Sequence, residues 1–416
     1  MSGSARRQYY RYYAGYTQGF VEDMLHRLDL SPDSVVADPW NGAGTTTAAA
    51  ACTGYTAIGY DINPAAVIIG RARVLGPEVA DSLGPLAVDI GKGARSNPVD
   101  LYDDDLLSTW FGDGTARELR ALERAVNRVL VDPDYDDEDP LFDSTMPQSS
   151  LAAVFYVALF RTVRDLVRRY VPSNPSWIKN PDGRRVGATQ SELHSLFIQF
   201  AKLSNPYLGQ LEITTPTGEP SAIIDIAPST ELPLADASVD AVVSSPPYCT
   251  RLDYVKATLP ELAILGLNED DVRDLRDSMI GTPTMAGGVL DEPPDEWGSE
   301  TTSLIKRIAS HKSKASATYY KRYYMQYFAG MWDSINELHR VVKPGSSAVL
   351  VVQDSFYKDV HVDLPALVGH MSEGAGWSSW ERLDFTVPRT MAAINPATRR
   401  YRDDFRAVES AVVLEG

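Results

Sequence analysis

Ser34-Val35-Val36-Ala37-Asp38-Pro39-Trp40-Asn41-Gly42-Ala43-Gly44-Thr45-Thr46-Thr47-Ala48-Ala49-Ala50-Ala51-Cys52 is the stretch on which the fold turns. A short apolar run with two β-branched residues reads as a strand, and Asp38-Pro39 ends it. The alanine-rich run from Thr45 reads as a helix that stops at Gly54. Glycines at 42 and 44 let the connecting backbone turn tightly and come close to a ligand, and the helix start offers unpaired N–H groups. A ligand held there lies across the carboxyl ends of the strands.

Working outward, six more runs have the same character: Thr56 to Asp61, Ala222 to Ile226, Val239 to Pro247, Ser347 to Asp354, Arg382 to Pro388 and Ala407 to Glu415. Helical patterns fall between them at Phe20 to Leu28 and at Met331 to Val342, before Pro344. Strands alternating with helices predict an α/β protein with a Rossmann-like, seven-stranded, doubly wound sheet. Residues 1–74 and 221–416 supply that domain, and residues 75–220 form a mainly helical inserted subdomain. The most periodic part of the insert, Leu151 to Val171, passes from apolar residues to Arg161, Arg164, Arg168 and Arg169, as expected of a helix buried at one end. Within residues 281–324, Gly281 to Thr302 is rich in Gly, Pro and acidic residues and is expected to be a mobile surface loop, followed by a basic segment.

The chain has 416 residues, 44% hydrophobic and 23% charged, a composition typical of soluble globular proteins. No run approaches the roughly 20 apolar residues of a membrane span, and the first residues lack the apolar stretch of a signal peptide. A cytoplasmic location without membrane contact is the expectation. Two cysteines, Cys52 and Cys249, and six scattered histidines make neither a disulfide framework nor a metal pattern. The net charge of -17 opposes binding of a polyanion, yet Lys306 to Tyr324 is a basic run interleaved with tyrosines.

Asp61 ends the second strand 17 residues after Gly44, where a carboxylate can accept hydrogen bonds from both hydroxyls of a ribose. Thr47 stands where a third glycine would complete a dinucleotide-binding G-x-G-x-x-G. The pair Asp38-Pro39-Trp40-Asn41-Gly42-Ala43-Gly44-Thr45 and Tyr60-Asp61-Ile62-Asn63-Pro64 resembles motifs I and II of the DNA amino-methyltransferases. The resemblance implies an S-adenosylmethionine site formed by Asp38, Pro39, Asn41, Gly42, Gly44, Thr45, Asp61 and Ile62. It adds Asp225 and Ile226 at the third strand end, where an Asp receives the adenine amine. Tyr12 to Phe20 is similar to motif X, which implies Tyr16, Thr17 and Phe20 beside the methionine end of the cofactor.

Ser245-Pro246-Pro247-Tyr248 follows the fourth strand. Two prolines cannot continue a sheet ladder and fix a stiff, extended loop. An exocyclic amine on a base is a poor nucleophile, because its lone pair is delocalised into the ring. Held by the Ser245 side chain and the Pro246 carbonyl, its nitrogen is drawn toward tetrahedral geometry and aimed at a methyl donor. Tyr248 would stack on the base, which must leave the duplex to be reached. The loop is similar to motif IV of the same family. This implies catalytic roles for Ser245, Pro246, Pro247 and Tyr248, and serine in first place points to cytosine N4. Adenine N6 is the nearest alternative; an RNA or protein-glutamine methyltransferase and a non-catalytic binding module are the others.

Cys249 follows Tyr248 rather than a proline and reads as a packing residue. Arg251 and Asp253 either orient substrate or pair with each other. DNA contacts are expected from Arg251 and from Lys306, Arg307, Lys312, Lys314, Lys321 and Arg322, with the helical insert as the sequence reader. The role of the third basic patch, Asn395 to Arg406, is open. No nuclease constellation is evident, so a restriction or defence activity would belong to a separate partner.

Overall fold

The computed structural model describes residues 10, 15–132, 149–172, 178–204, 221–284, 290–387 and 407–416. Residues 11–14, the acidic run over 133–140, residues 174–177 and the basic patch up to 406 lie outside the described residues.

Nine strands are described: β1 Val35–Asp38, β2 Thr56–Asp61, β3 Ala222–Ile226, β4 Val239–Ser244, β5 Val342–Gln353, β6 Ser355–Tyr357, β7 Val360–Val362, β8 Ser379–Val387 and β9 Ala407–Glu415. Seven of them form one sheet in the order β3-β2-β1-β4-β5-β9-β8. β1 to β5 pair in parallel with their neighbours, whereas β9 runs antiparallel to both β5 and β8. The chain leaves β1 toward β2 on one side and reaches β4 on the other, so a crevice opens at the carboxyl ends of β1 and β4.

Period-two alternation sends successive residues to opposite faces. Ala37, Val242, Ala348, Leu350, Val352, Val412 and Leu414 are buried on the face covered by the Lys321–Val341 and Leu364–Gly374 helices. Val36, Val243, Val349, Val351, Ala411 and Val413 are buried on the other face, against helices α1 Gln18–Arg27 and α2 Thr45–Thr53. This is the Rossmann-like, mostly parallel seven-stranded sheet expected from the sequence.

Helix α3 Pro64–Arg73 joins the sheet domain to the insert. Its Ile68, Ile69 and Ala72 share a core with Phe155, Phe160 and Phe197 from the helices Ser150–Leu166 and Gln190–Lys202. With Leu83–Ser96 and Asp113–Leu130, these are the α-helices described between residues 75 and 220. Buried charges inside this lobe are paired with one another. Arg120 meets Asp105 at 3.1 Å and Glu123 at 3.3 Å, and Arg164 meets Glu261, which also accepts the Tyr10 hydroxyl.

Three local expectations are corrected. Gly281 to Thr302 is not loop throughout: Trp297 is buried and a helix runs over Gly298–Ala309, because Leu304, Ile305 and Ile308 form an apolar stripe for the sheet domain. The helix expected from Met331 starts ten residues earlier, at Lys321 (331 − 321), since Tyr323, Tyr324, Tyr327 and Phe328 continue its buried face. The β6–β7 hairpin was not anticipated, its strands being three residues long. Among the described residues no helix is long and apolar enough to cross a membrane, and no His, Cys, Asp and Glu group can hold a metal ion.

Candidate active site

The turn after β1 is built for close approach. Gly42 and Gly44 take positive φ values of 48° and 74°. A Cβ on Gly44 would come within 2.8 Å of the Gly70 Cα, so this glycine serves the packing of α2 on α3. The Asn41 side chain lies over Gly59 and Gly70, accepts a hydrogen bond from the Thr47 hydroxyl at 2.9 Å, and leaves its buried Nδ2 without a partner. Asp61, at the end of β2, accepts from the Gly42 N–H at 2.9 Å and from the Asn63 N–H at 2.8 Å, which holds the two strand-end loops together.

Asp38 accepts the Ser244 hydroxyl and, at 3.1 Å, the Trp40 N–H. Burial pushes the carboxyls of Asp38 and Asp61 up to about 6, against the hydrogen bonds that favour their ionised forms. Neither carboxylate has a Lys, Arg or His partner among the described ion pairs.

At the end of β4, Ser245 donates its hydroxyl hydrogen to the Val351 carbonyl at 3.0 Å. The Tyr327 hydroxyl donates to the Pro247 carbonyl at 2.8 Å, and the Tyr248 hydroxyl donates to Glu409 at 2.5 Å. Cys249 is buried and burial pushes its thiol far up, which leaves it inert as a nucleophile. Arg251 and Asp253 do not pair. Arg251 lies over the Tyr320 ring at 5.1 Å, and Asp253 caps the helix Tyr254–Ala257 while binding Arg276 at 2.8 Å.

These loops enclose one cavity of about 310 Å³. Tyr16, Asp38, Pro39, Asn41, Gly42, Thr45, Asp61 and Ile62 line it together with Ser245, Pro246, Pro247 and Tyr248. Five expected residues stand outside the lining. Thr17 caps α1 by accepting from the Phe20 N–H, and Phe20 packs between Tyr16 and Phe385. Gly44 faces Gly70, and Asp225 turns outward to Arg71 at 3.0 Å, with Ile226 exposed beside it. The third strand contributes instead through Pro228, Ser229 and Thr230. Sequence reasoning also missed Gln353, Glu409 and Met279, which reach the cavity from elements distant in the chain, while Tyr254 lines it from just past the Ser245–Tyr248 loop. Among the described residues, the lining carries three carboxylates, Asp38, Asp61 and Glu409, and no lysine, arginine or histidine.

Arg251 is exposed three residues past Tyr248, with a φ of 57°. Lys306 and Arg307 line a second, open concavity with Ser299, Thr302, Ser303 and Ser310. Lys312, Lys314 and Arg322 are exposed, whereas Lys321 is tied to Glu292 at 2.8 Å. Tyr323 and Tyr324 belong to the core rather than to a stacking surface. In the insert Arg164 turns inward to Glu261, while Arg161 lies over Phe200.

No family model matches the chain. It is 23% identical over 399 residues to Type II methyltransferase M.MvaI of Kocuria varians, covering 86% of this chain and 83% of that protein. It is 21% identical over 417 residues to Type II methyltransferase M.BsoBI of Geobacillus stearothermophilus, covering 88% and 77%. A shorter similarity, 27% over 151 residues, links it to Type II methyltransferase M.AvaI of Nostoc, over 33% of this chain and 31% of that one. All three relatives are named Type II methyltransferases.

Proposed function

We propose that the protein transfers a methyl group from S-adenosylmethionine to the exocyclic N4 amine of cytosine at a specific site in DNA. One observation carries this reading: a single cavity joins an acidic bowl at β1 and β2, free of cationic side chains among the described residues, to the rigid Ser245–Tyr248 loop of β4. The similarity to two proteins named Type II methyltransferases, over most of both chains, supports it.

The residues present fit a cationic, ribose-bearing cofactor. Three carboxylates without a counter-cation attract positive charge and repel the phosphates of a dinucleotide. Tyr16, Trp40, Tyr248 and Tyr254 add aromatic faces suited to a sulfonium. Asp61 would hold the ribose and Asp38 would favour the positive end. When bound, S-adenosylmethionine supplies an electrophilic methyl group.

The chain's own part in the reaction is to orient the amine. Because the Ser245 hydrogen is already given to Val351, the Oγ lone pairs are left to accept a hydrogen from a substrate. The Pro246 carbonyl has no donor among the described residues and would accept the second amine hydrogen. Two acceptors at a fixed spacing select an amino group over a carbonyl. Arg251 and the Lys306–Arg307 concavity would take up DNA backbone, Lys312, Lys314 and Arg322 would extend that surface, and the insert would read sequence.

The test is expression in a host free of DNA methylation, followed by digestion of its DNA to nucleosides and mass spectrometry. N4-methylcytosine made by the intact protein and absent with Ser245→Ala is the expected result. N6-methyladenine would move the target to adenine, and no methylated base would overturn the reading.

A further inference from the structure

We propose that Glu409 is a positioning residue of this site, acting through Tyr248 to fix the aromatic wall against which the target base is seated. The proposal rests on the methyl-transfer reading above. Glu409 lies on β9, paired in register with Gln353 of β5, and both side chains line the cavity. Tyr248 leaves the end of β4, so its 2.5 Å bond to Glu409 reaches across β5 to the next strand.

That bond has a specific task. No other aromatic ring packs on Tyr248 among the described residues, and Pro246 and Pro247 fix the backbone but not the side-chain torsions. The phenol is therefore held by the backbone at its root and, at its tip, by the Glu409 carboxylate together with a side-chain hydrogen bond with Ser245. Burial and the facing Glu409 push the Tyr248 hydroxyl well above its ordinary range, so it remains a donor at any working pH. A hydrogen bond to a charged acceptor is among the stronger kinds, and it spares the ordering of a two-torsion side chain when a base arrives.

The experiment uses the full chain with 3-fluorotyrosine at position 248, read by fluorine NMR, together with kinetics on DNA. The intact protein should give one sharp resonance, Glu409→Ala a shifted and broadened one, and Glu409→Gln, which keeps an acceptor, should restore the sharp signal. In kinetics, Glu409→Ala should lower kcat/KM for DNA on the order of 10- to 100-fold, a larger loss than any it causes in cofactor affinity by calorimetry. Glu409→Gln should recover most of the loss, and Glu409→Ala combined with Tyr248→Phe should be no worse than Tyr248→Phe alone. Loss in Glu409→Gln equal to that in Glu409→Ala would assign a proton-accepting or charge role and overturn the tether, as would additive losses or a resonance indifferent to Glu409. If the intact protein makes no methylated base, the methyl-transfer reading fails, and the fluorine signal alone decides the tether.

Discussion

The insert and the cavity both bury carboxylates, and they treat them in opposite ways. In the insert, Asp105 and Glu123 are fully buried against Arg120, whose guanidinium also donates to the carbonyls of Ala263 and Ile264. The desolvation of each charge is offset there by a partner held within the same fold. In the cavity, Asp38 and Asp61 have only hydroxyl and backbone N–H donors, and their carboxyls are displaced to about 6. A buried carboxylate with its own guanidinium is architecture. One left with neutral donors, in a cavity that shows no cationic side chain among the described residues, fits the proposal of a positive charge supplied from outside.

The contrast breaks if the two regions respond alike to loss of charge. The largest expected effect is in the insert. Arg120→Met should cost about 3–5 kcal/mol of stability by leaving the buried Asp105 without its cationic partner and Glu123 with only Arg124 and Tyr156. Urea denaturation measures this, while cofactor affinity of the folded fraction should stay unchanged. Ser245→Ala should do the reverse, slowing methyl transfer on the order of 10²- to 10³-fold in single-turnover kinetics with no change in the urea midpoint. Asp61→Asn should weaken S-adenosylmethionine binding by roughly 10- to 100-fold in calorimetry, since one oxygen becomes a donor facing donors.

The smallest effect sharpens the comparison through pH. Carboxyls at about 6, against 3.8 for the ordinary group, take up protons on folding between those values. Their contribution to the stability of the empty protein is therefore complete below about 4 and is lost as pH rises toward 6. Binding of a cation requires the ionised forms, so affinity should rise with pH through 6 and level off above it. From pH 7.5 to 5.5 the affinity for S-adenosylmethionine should fall roughly tenfold. S-adenosylhomocysteine, whose sulfur is neutral, should show a shallower slope; equal slopes would remove the sulfonium as the charge sensed.

Much of the fold could be read from the chain because each sheet strand is a short apolar run closed by its own turn residues. The same holds for the part of the cavity made by strand-end loops: Asp38, Asp61 and Ser245 stand where a strand stops, and strand ends share one edge in a parallel sheet. What stayed hidden comes from elsewhere. Glu409 is an acid that lines the cavity from a mostly apolar strand, and Met279 follows an acidic helix, so neither has a local signature. Asp225 misled because the third strand is the sheet edge, where alternate residues face outward and Arg71 captures the carboxylate. The tyrosines of the basic run misled for a related reason. Composition marked them as a stacking surface, but helical spacing turns Tyr323, Tyr324 and Tyr327 toward the core.

β9 is the last of the described strands along the chain, yet it lies inside the sheet, between β5 and β8. During synthesis the parallel half emerges first and can assemble while β8 still has nothing to pair with. A chain nicked or halted before Ala407 would present Ala348 to Val352, an uninterrupted apolar run, as an open sheet edge. Such an edge invites strand-to-strand aggregation, so a truncated product would be prone to precipitate rather than to persist as a weakened enzyme.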